Sequence, residues 1–470
     1  MRGKEANAEV VLRLFLSAVL SLAAVLALSP TALHAAAPKP AAAGKPNILI
    51  ILADDLGRGE YSAFGTKDIR TPNMDRLCRE GLTFQNFYAN SCVCSPTRAA
   101  LLTGCHPDRV GVPGVIREEM PLDSWGYLSA RATLLPQVLR HAGYHSAIVG
   151  KWHLGIGSPN TPTERGFDFF HGFLGDMMDD YWSHLRHVQN FMRRNLQVID
   201  PQGHATDIFT DWACAYLAER AATREPFFLY LAYNAPHNPI QPPPEWLAKV
   251  KQREEGITER RAKLVALIEH LDAGVGRVLD TLDRLQLADN TLVLFTSDNG
   301  GMLSDGACNG PWRSGKTHMY EGGLRVPGIV RWPGRIKPGS STAHVALSMD
   351  IFATSCAVAG VTPPADIDGV SFLPTLLGQP QSAAPRDLYF VRREWGLLYC
   401  GKTIEALIHG EWKLVLDSPF APLELYNLTR DPHETTDLAV KEKAVVRELT
   451  AALRKQVQRG GAVPWQLPAK

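Results

Sequence analysis

The sequence predicts an α/β fold in which a large, mostly parallel central sheet is flanked by helices and followed by a small C-terminal antiparallel sheet carrying one helix. Three observations predict it. The apolar runs 47–53, 227–232 and 291–297 are rich in β-branched and aromatic residues, the pattern of strands buried on both faces of a parallel sheet. Each run ends in polar residues: Asp54-Asp55-Leu56-Gly57, Tyr233-Asn234-Ala235-Pro236-His237 and Asp298-Asn299-Gly300-Gly301. In open α/β sheets the carboxyl edge of the strands is where ligands bind. After about Gly378 the pattern changes to short alternating strands (387–392, 403–409, 412–416 and 423–428) closed by an amphipathic helix over 441–457.

With 470 residues the chain can bury a large core and exceeds the usual single-domain size. Lys plus Arg number 49 against 48 Asp plus Glu, so no global attraction to nucleic acid or to an acidic membrane is expected, and any anion recognition must be local. Arg2, Lys4 and Arg13 flank an apolar run over 14–28 that leads to Ala35-Ala36-Ala37, the form of a secretory signal peptide. The run is short for an anchor, so no stable membrane insertion is expected after cleavage. The expected division is a signal peptide over 1–36, a disordered Ala/Pro-rich spacer over 37–45, a large α/β domain over 46–378 and a C-terminal α+β subdomain over 379–470. Export places the protein in the periplasm or outside the cell, or in the lysosome or medium for a eukaryote. Eight cysteines, at 78, 92, 94, 105, 214, 308, 356 and 400, are too sparse for a disulfide framework.

Taken in order, Pro72 to Gly81 reads as a short helix and Leu82 to Phe87 as a strand leading into Cys94-Ser95-Pro96-Thr97-Arg98. Ser95 can cap a helix and Pro96 suits its first position, with Ala99-Ala100-Leu101-Leu102 carrying it on to Thr103-Gly104. That leaves Cys94 at a helix N-terminus, where backbone N–H groups favour an anion, and Arg98 one turn further on. A second amphipathic helix is expected over 133–142. A turn and strand over 143–149 then end in Gly150-Lys151-Trp152-His153. The stretch 156–203 holds His171, Asp176, Asp179, Asp180, Tyr181, Trp182 and His184 without metal-ligand spacing, and reads as loops lining a substrate cleft. Helices over 205–220 and 261–285 and a strand over 326–332 complete the large domain. Asp54, Asp55, Asp298 and Asn299 supply four hard oxygen side chains from strand ends, which suits Ca²⁺ or Mg²⁺ and not zinc. Asn427-Leu428-Thr429 fits a glycosylation sequon, but is explained equally well as structural.

The phrase Cys94-x-Pro96-x-Arg98 followed by Leu102-Thr103-Gly104 resembles the signature of the type I sulfatases, of the alkaline-phosphatase-like superfamily. Thr71-Pro72-Asn73-x-Asp75-x-Leu77, Gly143-Tyr144-x-Ser146 through Gly150-Lys151-Trp152-His153, Pro236-His237-x-Pro239 and Gly315-Lys316 through Tyr320-Glu321-Gly322-Gly323 resemble further family phrases, in the family's order. Thr317 departs from the glycine often found there. The resemblance implies that a maturation enzyme oxidises Cys94 to formylglycine, whose hydrate attacks sulfur to give a covalent sulfate ester. It implies one divalent cation, Ca²⁺, held by Asp54, Asp55, Asp298, Asn299 and position 94. It gives Arg98, Lys151 and Lys316 the sulfuryl oxygens, Asp298 the proton of the attacking hydroxyl, Lys316 and His237 the departing oxygen, and His153 the proton of the second hydroxyl. The expected substrate is a sulfate ester, of a sulfated carbohydrate or an aryl alcohol. The alternatives are a phosphonate or phosphate monoester hydrolase on the same fold, and a sulfated-glycan binding protein whose Cys94 is never modified.

Overall fold

Every residue of β1 (Asn47–Ala53) is buried, so this strand must be covered above, below and on both sides. In the computed structural model, which describes residues 44–117, 127–223, 225–381, 386–394 and 399–461, it lies near the middle of a ten-stranded sheet. The segment read as a signal peptide, most of the expected spacer and the last nine residues lie outside the described residues. In chain order the strands are β2 (Leu82–Tyr88), β3 (His145–Lys151), β4 (Phe169–Phe173), a separate hairpin of β5 (Leu185–Arg186) and β6 (Gln189–Asn190), then β7 (Met192–Arg194) and β8 (Gln197–Val198). They continue with β9 (Phe227–Ala232), β10 (Thr291–Ser297), β11 (Gly328–Arg331) and β12 (Ser340–Leu347). Across the sheet the order is β12-β2-β11-β10-β1-β9-β3-β4-β7-β8.

The five central strands, β10, β1, β9, β3 and β4, are mutually parallel, with Ile50 of β1 level with Leu294 and Tyr230. Parallel neighbours end at one edge, so Asp54 after β1, Asp298 after β10, His237 after β9 and Lys151 at the end of β3 are delivered to one place. Gly150 is required there: at φ 102° a Cβ would lie 1.9 Å from the carbonyl oxygen of Ala232. The helix Glu259–Arg284, capped by the Thr258 hydroxyl accepting from the Arg261 amide, packs against the helices Pro72–Glu80, Ala205–Thr223 and Pro244–Arg253. A second group, Cys94–Thr103, Leu135–Arg140 and Asp350–Ala359, packs together separately.

Sequence periodicity does not announce β12, whose Ser-Ser-Thr-Ala-His composition alternates between half-buried and exposed positions; it closes one end of the sheet, where a strand needs only one partner. The helices Pro244–Arg253 and Asp350–Ala359 are likewise additions. The stretch 156–203 is more regular than a set of loops, for it contributes β4, β7 and β8 to the opposite end of the sheet.

The C-terminal sheet is an antiparallel meander of β13 (Leu388–Arg393), β14 (Thr403–His409), β15 (Trp412–Leu416) and β16 (Glu424–Asn427). Its two-residue alternation explains its placement. Phe390, Ile404, Ala406, Val415 and Tyr426 pack with Cys92, Val93, Ala100, Met319 and Leu347 of the large sheet's side. Tyr389, Val391, Leu407, Leu414 and Leu425 face Leu449 and Leu453 of the helix Lys443–Gly460. Asn427 is buried, and its Oδ1 accepts from the amides of Thr429 and Arg430, so the sequon is a turn and not an acceptor for sugar.

Candidate active site

The Cys94 helix begins two residues earlier than its sequence signals imply. Val93, extended at φ −147°, is the N-cap, and Ser95 lies inside the first turn, where its hydroxyl accepts from the Ile116 amide at 3.0 Å instead of capping. Pro96 is tolerated because first-turn amides have no intrahelical acceptor. The turn before the helix is tied instead by Thr97, whose hydroxyl accepts from the Ser91 amide. All ten helical residues, Cys94 to Thr103, are buried.

Arg98 is wholly buried and grips Asp298, with Nη2 at 2.7 Å and Nε at 3.0 Å from Oδ2; Nη2 also lies 3.5 Å from Asp54 Oδ2. Its Nη1 donates to the Lys151 carbonyl. Lys151 Nζ donates to Asp54 Oδ2, and Lys316 Nζ to Asp55 Oδ2 at 2.7 Å. Asp298 Oδ1 accepts the Asp55 amide, and Asp55 Oδ1 accepts Asn299 Nδ2 at 2.7 Å. Three carboxylates and three cations thus interlock at the carboxyl edge of β1, β3 and β10.

Burial alone would raise the acids, but Lys151, His237 and Arg98 outweigh it at Asp54, and Lys316 with His237 does so at Asp55, so both are held below the usual carboxylate range. Asp298 is raised, by burial and then by the Asp54 charge. Burial would strip the Lys316 ammonium of its proton, yet Asp55, Cys94 and Asp54 reverse this and raise it. Burial drives the Cys94 thiol far up against the pull of Lys316 and Lys151, so as plain cysteine it is a poor nucleophile.

The two histidines have fixed tautomers. His153 Nε2 lies 3.0 Å from the Ile116 carbonyl, which can only accept, so Nε2 carries the proton; buried Nδ1 has no partner and keeps its lone pair. Burial, then Lys151 and Arg98, hold this ring well below the ordinary histidine range, hence neutral. His237 Nδ1 faces the Asn238 carbonyl at 2.7 Å, which turns Nε2 toward Asp55 Oδ2 at 3.6 Å. Burial followed by Lys316 lowers its pKa too. Asp55, His153 and Thr317 all have positive φ (66°, 58° and 78°), a conformation uncommon outside glycine that collects at functional sites.

Asp54, Asp55, Cys94 and His237 place one ligand-capable atom each within 4.8 Å of one another. Asp54 Oδ1 and Asn299 Oδ1 are buried oxygens without a hydrogen-bond partner. Orphaned oxygens among carboxylates fit a hard divalent cation, so the expected set of Asp54, Asp55, Asp298 and Asn299 suits that group.

Cys94, His153, His237 and Lys316 line a cavity of about 220 Å³ together with Arg117, Asp176, Arg186, Arg392 and Tyr399. The structure therefore brings together every residue named from sequence at this edge. From 156–203 the lining residues are Asp176, Met177 and Arg186. Trp182 and Asp180 serve elsewhere: Trp182 is half exposed with its ring edge against His204, and Asp180 accepts from the Trp182 and Ser183 amides. Tyr181 is buried with its hydroxyl 2.8 Å from the Asn234 and His237 carbonyls, bracing the His237 turn. Sequence reasoning passes over Arg117, Arg392 and Tyr399. The available signal is Arg392-Arg393-Glu394, a charged run at the end of an otherwise apolar strand.

A model of the sulfatase family matches residues 46–361, and a model of the C-terminal region of N-sulphoglucosamine sulphohydrolase matches 312–461. The chain is 34% identical over 413 residues to the N-acetylgalactosamine-6-sulfatase of Canis lupus familiaris, covering 83% of this chain and 74% of that protein. To its Homo sapiens counterpart it is 37% identical over 364 residues, 73% of this chain and 66% of that protein. To the N-acetylgalactosamine-6-O-sulfatase of Bacteroides thetaiotaomicron it is 30% identical over 498 residues, 87% and 92% of the two chains. The solved structure of Ps i-CgsB in complex with k-i-k-neocarrahexaose superposes with a TM-score of 0.80 at 30% identity, covering 88% of this chain and 93% of that one.

Proposed function

Because this chain belongs to the sulfatase family and hydrolyses sulfate esters of sulfated carbohydrates, we propose that its substrate is a 6-sulfated N-acetylgalactosamine unit and that the residues around Cys94 carry the reaction. The observation that carries the assignment of the site is the convergence of Cys94, Asp54, Asp55 and His237 from separate strand ends and a helix start. Phosphate or phosphonate ester hydrolysis is not favoured, since the matched family and relatives are sulfatases.

Oxidised to formylglycine by a maturation enzyme and hydrated, position 94 would supply two hydroxyls, one to attack sulfur and a second through which sulfate would be expelled. Asp54, Asp55, Asp298, Asn299 and position 94 would hold a Ca²⁺ ion, which would supply Lewis-acid neutralisation of the sulfuryl oxygens. Arg98 fixes Asp298 and the Lys151 carbonyl together, keeping the strand ends in register. Asp298, raised in pKa, is suited to take a proton from the attacking hydroxyl. Lys151 and Lys316 present ammonium groups to the anionic ester. Lys316 keeps its proton despite burial and is the group able to supply one to the departing oxygen, while His237, whose proton sits on Nδ1, stands beside it with an unprotonated Nε2. His153, neutral with Nδ1 unprotonated, is the acceptor for the second proton. These preorganised donors are themselves buried, which is where such stabilisation is strongest.

The reading of residues 1–36 as a signal peptide supports action outside the cytoplasm, and among the described residues no helix is long and apolar enough to cross a membrane. The test is kcat/KM on N-acetylgalactosamine 6-sulfate against its 4-sulfated isomer and an aryl sulfate, with protein from a maturation-competent host. Preference for the 6-sulfate is expected; preference for the 4-sulfate, or activity on the aryl ester alone, refutes the substrate assignment.

A further inference from the structure

We propose that Arg392 recognises a second anionic group on the substrate, a carboxylate or a further sulfate, so that the enzyme selects sugars bearing two negative charges near the scissile ester. This deepens the carbohydrate-sulfate reading and rests on it.

Arg186 and Arg392, two of the three arginines that line the cavity, are held differently. Arg186 is matched by two carboxylates, with Nε and Nη2 at 2.8 and 3.0 Å from the oxygens of Asp176 and Nη1 at 2.8 Å from Asp179. Arg392 shares a single carboxylate: its Nε donates to Glu394 Oε1 at 3.0 Å, while Oε2 of the same group accepts Arg117 Nη1 at 2.7 Å. Its other hydrogen bond goes to a neutral acceptor, the Thr317 carbonyl, at 3.1 Å from Nη1, and its guanidinium lies 5.8 Å from the centre of the Tyr399 ring. Among the described residues Glu394 is the one acid that pairs with Arg392. A carbonyl positions a guanidinium without neutralising it, and burying a charge beside half a carboxylate is costly unless another anion offsets it.

Placement supplies the rest. Arg392 lines the same cavity as Cys94, His153 and Lys316, at the end of β13. Thr317 follows Lys316, and its amide donates to the Cys92 carbonyl, so one short loop pins a sulfate-facing lysine and a cavity-facing arginine to the frame of the Cys94 helix. The volume, about 220 Å³, is on the scale of one sugar ring, which puts the second anion on the sulfated sugar or on the residue bonded to it. The guanidinium fork matches the planar oxygens of a carboxylate and the oxygens of a sulfate.

Three probes test this with the matured enzyme: N-acetylgalactosamine 6-sulfate, its 4,6-disulfate, and a disaccharide joining the 6-sulfated sugar to a uronate. Wild type should show a higher kcat/KM on at least one doubly charged probe, and which one it prefers separates sulfate from carboxylate. In Arg392→Gln that preference ratio should fall on the order of 10- to 100-fold toward parity, the span of one hydrogen bond between charged groups. Glu394→Gln should raise the ratio, because the competing carboxylate is gone, and Arg392→Lys should keep part of it. A role confined to bracing the Lys316 loop would lower all three probes together and leave the ratio unmoved, which overturns the proposal, as does a wild-type ratio of one. Turnover of an aryl sulfate with no sugar turned over is a different failure, removing the carbohydrate reading itself.

Discussion

Arg98 and Asp298 meet where neither side chain has any exposed surface, Nη2 standing 2.7 Å from Oδ2, and Asp54 lies 3.5 Å from the same nitrogen. Removing one member of a buried pair leaves the other charged and unpaired, which costs about 3–5 kcal/mol. Arg98→Ala should therefore lower unfolding free energy by about that amount, read from denaturant titration, and abolish activity as well. Retained stability would show that the carboxylates are compensated by some other route.

Cys94 should be present as an aldehyde in protein made by a maturation-competent host. Intact-peptide mass spectrometry checks it. Only thiol at position 94 in protein that still turns over sulfate esters would sink the assignment of the nucleophile.

The metal set is tested by Asp298→Ala, which should remove both bound Ca²⁺ and activity, since the site loses charge it has no means to replace. Elemental analysis of wild type should give one Ca²⁺ per chain. Stoichiometric zinc surviving the substitution would contradict the ligand set.

Lys316→Ala should lower kcat on a sugar sulfate about 10²- to 10⁴-fold, the usual weight of proton donation to a leaving group. The loss should be smaller on an aryl sulfate with an acidic phenol, whose departing oxygen needs less help. Equal losses on both would assign Lys316 to the sulfuryl oxygens alone.

Stability should fall as pH drops from about 6.5 to about 4. His106 is buried with its ring edge on Tyr389, and burial lowers its pKa to about 4, with His204 lowered to about 4 as well. Between those values the unfolded chain binds more protons than the folded one, so stability rises with pH through the window and is lost as pH falls through it. For His106 the effect is on the order of 3 kcal/mol. Replacing His106 by Gln should flatten the dependence measured by chemical denaturation; an unchanged slope would place the acid sensitivity elsewhere.

The central strands were legible because burial on both faces leaves an unbroken apolar run, as in Asn47–Ala53 and Thr291–Ser297, and because the chemistry follows each run directly. The helix at Cys94 was legible, but not its cap, since Ser95 had a better acceptor role toward Ile116 across 21 residues of chain. β12 was hidden because an edge strand needs no apolar face of its own. Arg392 and Arg117 were hidden for another reason: the cavity is assembled from β13 and a distant loop, and nothing in either segment alone states that they share Glu394. Trp182 and Asp180 have the composition of a sugar site, yet composition does not fix direction, and the chain turns Asp176 and Arg186 inward instead.

The depth of Cys94 sets an order of events in the life of the chain. With 3% of its surface exposed, behind it the C-terminal sheet packed on Cys92 and Val93, the residue is out of reach of any second enzyme once folding is complete. If Cys94 is converted to formylglycine as proposed, the conversion has to come while the chain is still open, before β13 to β16 dock. The active fraction would then be a contest between two rates, modification and closure, and overproduction at fixed maturation capacity should yield well-folded protein that is permanently silent.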